Sequence, residues 1–262
     1  MPGESVGTPH FPYRSIFRTP DRIQAAAKGP GGNTALFLAG TNGGSWRNDG
    51  LTVGGFVPVD MMTDGRINAL ASDNDFIFAV GQGGHLAWSS QGSEFRVVPN
   101  PDLNDLNDVT YAGVNATDRF RVAVGAGGRI LRSVRPIPTG GLVPPTFSPV
   151  TSNTTQTLNA VAFCSSCTNV VVAVGANGTI IRSTDFGATW SAATVPAGYN
   201  GVGTNFTDVV NVPGTTNFIV GVGGSWSGTS SLLRSTDSGA TFSAFATTPL
   251  LNTAITALHG ES

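Results

Sequence analysis

Short apolar runs, cut by Gly, Asn, Asp and Pro, follow one another along the chain and return at a regular period. ALFLAG, FIFAVG, RVAVG, VVVAVG and FIVGVG each carry a glycine at or near their end, at Gly40, Gly81, Gly125, Gly175 and Gly221. The intervals are 41, 44, 50 and 46 residues, and their scatter lies in the loops. A period of this size marks propellers and solenoids. Each run is preceded by another, starting at Arg22, Ile67, Leu106, Leu158 and Phe206. A third follows as HLAWSS, RILRS, TIIRS and SLLRS, then a fourth that carries an aromatic residue. This pattern predicts an all-β propeller of five four-stranded blades, because a sandwich would show about seven unlike strands. The run TAITALHG at 253–260 has no partners after it and is predicted to close the ring as an innermost strand. Only a closed ring buries both faces of every blade. Six blades is the alternative, if the N-terminal segment supplies strands beside 253–260. The chain thus divides into an extended arm over 1–20 and one propeller domain over 21–262.

Composition supports this reading. Apolar residues make up 40% of the 262 residues and charged ones 11%, with 35 glycines, which suits short strands and tight turns more than charged-faced helices. A net charge of −2 provides no uniform positive field for phosphates, which argues against a nucleic-acid partner. Lys28 is the only lysine. No run approaches the roughly 20 apolar residues of a membrane-spanning helix. The opening MPGESVGTPHFPYRS shows no basic stretch followed by an apolar one, so a secretion signal is not legible and a cytoplasmic location stays open.

Candidate chemistry is sparse. Cys164 and Cys167 form a single Cys-Ser-Ser-Cys between two strand-like runs, open to a turn disulfide, free thiols, or redox or metal chemistry. His10, His85 and His259 lack ligand spacing, so no metal, cofactor or catalytic residue is assigned. An arginine recurs at the end of the third strand, as Arg47, Arg132, Arg182 and Arg234, with Trp88 in the second blade. These guanidinium groups either cap carbonyls between blades or form a ring of anion-binding forks. Three segments break the repeat: the arm, the insertion 133–150 and the loop 223–231. The arm sets Phe11, Tyr13 and Phe17 among prolines, and the insertion is proline-rich just after Arg132 and Arg135. With Trp226 of the third segment, these are the candidate partner contacts, although the arm could instead cover the closing strand.

Two repeats carry S-x-D-x-G-x-T-aromatic, STDFGATW at 183–190 and STDSGATF at 235–242. This pattern resembles the Asp-box of sialidase-type (BNR) propellers. Ser183, Asp185, Gly187, Thr189 and Trp190, and likewise Ser235, Asp237, Gly239, Thr241 and Phe242, read as a fold staple. The carboxylate accepts backbone N–H groups, the glycine takes positive φ, and the aromatic packs between blades. Degenerate versions stand at 48–52 and at 89–95. Phe17-Arg18-Thr19-Pro20 resembles one sialidase motif, but the glutamates are only Glu4, Glu94 and Glu261, and a hydrolase needs convergent carboxylates. The whole repeat, LNAVAF through VVVAVGANGTIIRSTDFGATW, is similar to the propellers known as photosystem II assembly and stability factors. That resemblance implies a non-catalytic, membrane-extrinsic protein that holds membrane subunits together. Its setting would be a photosynthetic reaction centre, at the periplasmic face of a bacterial membrane. A glycan- or ligand-binding extracellular propeller is the alternative, and a sialidase-like hydrolase the third.

Overall fold

The computed structural model describes residues 23–29, 35–40, 44–48, 56–63, 65–73, 75–90, 92–100, 102–113, 118–136, 145–167, 169–228, 230–245 and 253–258. Twenty strands form five separate four-stranded antiparallel sheets, each with its strands in sequence order. The first blade holds Ile23–Lys28, Leu36–Gly40, Ser45–Asn48 and Val57–Pro58. The second holds Ile67–Ser72, Ile77–Gly81, Leu86–Ser89 and Arg96–Val97. The third is longer, with Leu106–Gly113, Asp118–Gly125, Ile130–Pro136 and Ser148–Val150. Leu158–Phe163, Val171–Gly175, Ile180–Ser183 and Ser191–Ala192 make the fourth, and Thr204–Asn211, Phe218–Gly224, Leu232–Ser235 and Ser243–Ala244 the fifth. The protein is a β-propeller of five four-stranded blades.

Apolar layers between successive blades form the core. Phe37 and Met61 of the first blade meet Ile67 and Ile77 of the second. Phe78 and Val80 meet Leu106 and Ala123 across the next boundary. Val122 and Val124 then meet Leu158 and Val171, and Val172 and Val174 meet Phe206 and Phe218. The central strands are buried on both sides, as Ile77–Gly81 and Val171–Gly175 show, which is why they read as continuous apolar runs rather than alternations.

A register shift in each first strand joins the blades at the axis. In the second to fifth blades the pairing skips Asn68, Asn107, Asn159 and Thr207. A bulge of this kind turns a side chain out of the ladder. Asn68, Asn107 and Asn159 each donate from Nδ2 at 2.8 Å to a first-strand carbonyl of the next blade, on Leu106, Leu158 and Phe206.

Two expectations need correction. The C-terminal run lies on the fifth blade, where Ile255 N donates to the Val222 carbonyl at 3.0 Å and Leu258 N to Asp208 Oδ2 at 2.7 Å. It runs extended over 254–258 without a strand ladder, since no described strand pairs with its outer edge; 259–260 lie outside the described residues. The third-blade insertion starts later than 133, because Asp118–Val124 pairs with every residue from Ile130 to Pro136 and carries that strand outward.

Candidate functional site

In an antiparallel meander the second-to-third hairpins and the connections between blades share one face of the disc. Contacts across that face confirm it: Asn100 Nδ2 donates to Gly84 O at 2.9 Å, and Ser225 N to Gly203 O at 2.8 Å. Here a groove of about 680 Å³ lies on the third blade, between the connections that precede and follow it, lined by Asp102, Arg129, Ser152, Asn153 and Thr154 among others. A second depression of about 340 Å³ adjoins it on the far side of Ser152–Thr154. Arg129 Nη1 pairs with Asp102 at 2.8 Å, and Asn153, at φ 61, bonds the Trp190 carbonyl. The lining offers amides, hydroxyls and one ion pair. Three large apolar side chains stand out on the same face, one on each of three connections: Met62, Leu103 and Val202, 53%, 77% and 94% exposed.

The opposite face carries the Asp-box turns. Asp185 Oδ1 accepts Thr189 N at 2.8 Å, its Oδ2 accepts Thr189 Oγ1 at 2.6 Å, and Gly187 N bonds Ser183 Oγ at 2.8 Å. Asp237 repeats this set with Thr241, and Gly239 N bonds Ser235 Oγ at 2.9 Å. Burial pulls the Asp237 carboxyl upward, but hydrogen bonds from Thr241, Ser235 and Ala240 outweigh it and hold its pKa down at about 2. In the second blade the aspartate is missing, yet Gly92 N still bonds Ser89 Oγ at 2.7 Å. Gly187 lies against the third blade, where a Cβ would come within 2.8 Å of Val122 Cγ2. Trp190 and Phe242 are 4% and 5% exposed.

The recurring arginines face these turns. Arg132 Nε donates to Phe186 O at 2.8 Å and Arg182 Nε to Ser238 O at 2.6 Å, each reaching the Asp-box of the following blade. Phe186 and Ser238 sit at φ 58 and 59, so their carbonyls turn outward toward the guanidinium. Arg234 instead lies over Phe245. With their Nε groups bound to main-chain carbonyls, Arg132 and Arg182 act as inter-blade caps.

Cys164 and Cys167 are joined in a disulfide within the first hairpin of the fourth blade. Trp226 packs against the core of the fourth and fifth blades. Its loop is tied down by Tyr199, whose hydroxyl donates to Ser230 O at 2.9 Å and accepts Ser230 N at 2.7 Å. Phe11, Tyr13 and Phe17 lie outside the described residues, as does the Arg135 side chain. No group of His, Cys, Asp and Glu suited to a metal occurs among the described residues.

Sequence reasoning missed two charged features. Asp73, 4% exposed, receives Arg121 Nε at 2.7 Å and its second guanidinium nitrogen, with Arg121 fully buried. Arg119 joins through Asp75 at 2.7 Å. The other feature is Asp108, half-buried on the first strand of the third blade, where burial raises its pKa to about 7, against opposing bonds from Val161 and Val109 and with a further push from Asp208. An Asp inside an apolar strand run was the available signal for Asp108. The folded pKa of Asp108 exceeds the unfolded one, so its contribution is complete below about pH 4 and disappears as pH rises through about 7. Urea midpoints are therefore expected to fall between pH 5 and 8.5, and Asp108→Asn to flatten that fall; equal slopes in both proteins would refute the assignment.

No family model and no curated protein matches the chain. Among solved structures it is similar to YCF48 bound to D1 peptide, with TM-score 0.54 and 15% identity over 85% of this chain and 66% of that one. YCF48 from Cyanidioschyzon merolae gives 0.54 and 16%, over 83% of this chain and 70% of that one. An ancestral GH74 enzyme gives 0.62 and 15%, over 85% of this chain but 31% of that one. At such identities the likeness establishes the propeller fold.

Proposed function

We propose that the protein is a non-catalytic, membrane-extrinsic accessory subunit that binds protein partners, in a bacterial photosynthetic reaction-centre complex, on its periplasmic side. The observation that carries this reading is the face where Leu103 and Val202 protrude beside a polar groove. Apolar anchors around a hydrogen-bonding trough suit a polypeptide, which offers both side chains and main-chain amides. Two further facts support it: a similar propeller, YCF48, is known bound to D1 peptide, and the Cys164–Cys167 disulfide fits an oxidising compartment.

Glycoside hydrolysis, raised by the GH74 neighbour, would require two carboxylates free to meet a sugar. Asp108 and Asp208 lie close enough to repel one another, but each of their four oxygens accepts a main-chain N–H, from Val109, Val161, Val209 and Leu258. Their geometry holds the fold. The test is the double variant Leu103→Asp, Val202→Asp, measured for retention in the native membrane complex and for its urea midpoint. Retention should drop at least about tenfold, roughly 1.4 kcal/mol of binding, at an unchanged midpoint. Full retention would remove this face from the proposal.

A further inference from the structure

The C-terminal run is held as a ligand would be, by groups of the fifth blade aimed at its main chain. Thr207 Oγ1 donates to Ile255 O at 2.5 Å, and Asp208 Oδ2 accepts Leu258 N at 2.7 Å. The Val222 carbonyl accepts Ile255 N at 3.0 Å. The first two contacts repeat a clamp between the third and fourth blades, where Asn107 Nδ2 donates to Leu158 O and Asp108 Oδ2 accepts Val161 N, both at 2.8 Å. The offset of three residues is the same, so Ile255 and Leu258 stand where Leu158 and Val161 stand. The sequences agree, with ITAL at 255–258 beside LNAV at 158–161 and INAL at 67–70. The clamp therefore reads a strand through two main-chain groups three residues apart, with an aliphatic side chain at each.

The floor beneath the strand sets the fifth blade apart. Val80, Val124 and Val174 pair with Ala69, Asp108 and Ala160, and at the matching place Gly221 pairs with Asp208. Each valine is buried in one layer with a residue of the next first strand: Val80 with Leu106, Val124 with Leu158, Val174 with Phe206. At Gly221 that side chain is missing, and Ile255 occupies the space. A Cβ on Gly221 would come within 2.9 Å of Ile255 Cγ2. The fifth blade thus offers a notch where the other central strands offer a valine, and the notch takes one aliphatic side chain.

We infer that the fifth blade carries a peptide-binding seat for one extended strand, built by Thr207, Asp208, Gly221 and Val222, and that residues 254–258 fill it in cis. The ligand it takes is a segment with an aliphatic residue at one position and another three residues on, donated by a second polypeptide as an added inner strand. The contacts go to main-chain groups and to one aliphatic side chain, so any strand of this pattern can make them. The first-strand bulge makes the seat possible, because it turns Thr207 out of the ladder and toward the incoming carbonyl. The tethered tail competes at an effective concentration of about millimolar, so an outside strand enters by binding more tightly or when the tail is drawn away. This seat does not depend on the face that carries Leu103 and Val202.

Fluorescence anisotropy with a labelled TAITALHG peptide, the sequence of 253–260, tests the seat in the full chain. Ile255→Asp, which withdraws the tail's own side chain from the notch, should bind the peptide at least about tenfold more tightly than the natural chain, and a scrambled peptide no better. Adding Gly221→Val, which fills the notch, should abolish that gain. A second readout needs no variant: excess unlabelled peptide should speed hydrogen exchange at Ile255 and Leu258 of the natural chain while 218–224 keeps its protection. Equal peptide affinity in the natural chain and Ile255→Asp, a gain shared by the scrambled peptide, or exchange at 255 and 258 unmoved by peptide would overturn the inference. So would global unfolding of Ile255→Asp, read as a lost cooperative melt, because a seat must outlast its occupant.

Discussion

Replacing Trp190 with alanine is expected to destabilise the protein by about 3–5 kcal/mol, the range for deleting a large buried aromatic. The indole is 4% exposed and belongs to the layer that joins the third and fourth blades through Val122, Ile130 and Leu158. Its Nε1 donates to Gly187 O at 3.0 Å, so truncation also removes a donor that closes the Asp-box turn on itself. The cavity would open between blades, where each sheet is a rigid unit with little freedom to collapse inward. A urea titration read by far-ultraviolet circular dichroism measures the loss. A change below about 1 kcal/mol would show that the layer tolerates the void and that the Asp-box does not hold the blades together.

A comparable loss, about 3–5 kcal/mol, is expected for Arg121→Ala, for a different reason. Arg121 is fully buried between Phe76 and Phe78, with its guanidinium over the Phe78 ring at 4.8 Å and bonded to Asp73. Asp73 also accepts the main-chain N–H groups of Asp75 and Phe76, both at 2.8 Å. Removing the arginine leaves a buried carboxylate with amide partners but without its main countercharge. Arg121→Leu with Asp73→Asn should recover most of the loss, because the same position in other blades is held by Ile77, Val171 and Phe218. If the double variant is no better than Arg121→Ala alone, charge is not the cause.

The repeat was legible because a propeller writes its fold into a period. The central strands of the second and fourth blades, which stand out as apolar runs, are buried along their whole length. The Asp-box residues could be placed in a turn from spacing alone, since Asp185 and Thr189 bond within five residues of one another. What could not be read joins segments far apart in sequence. Asp73 and Arg121 are separated by 48 positions, and nothing near either one announces the other. The groove on the third blade is formed by its second-to-third hairpin and the connections on either side, none of which carries a motif. Trp226 stands in an irregular loop, and that backbone is fastened from elsewhere in the chain, by Tyr199. The arginines were readable as a ladder and carbonyl capping as one of two readings of it, while the geometry that decides between them depends on carbonyls turned outward by left-handed residues in the next blade.

The asparagines at the axis all point the same way along the chain: Asn68 to Leu106, Asn107 to Leu158, Asn159 to Phe206. Arg132 and Arg182 reach forward in the same sense. During synthesis this order lets every blade find its partner as soon as the following one leaves the ribosome, with donors already in place on a finished sheet. At about 5–20 residues per second, a repeat of some 45 residues emerges within seconds, long compared with the time a hairpin needs to form. The propeller can therefore be assembled progressively, blade upon blade.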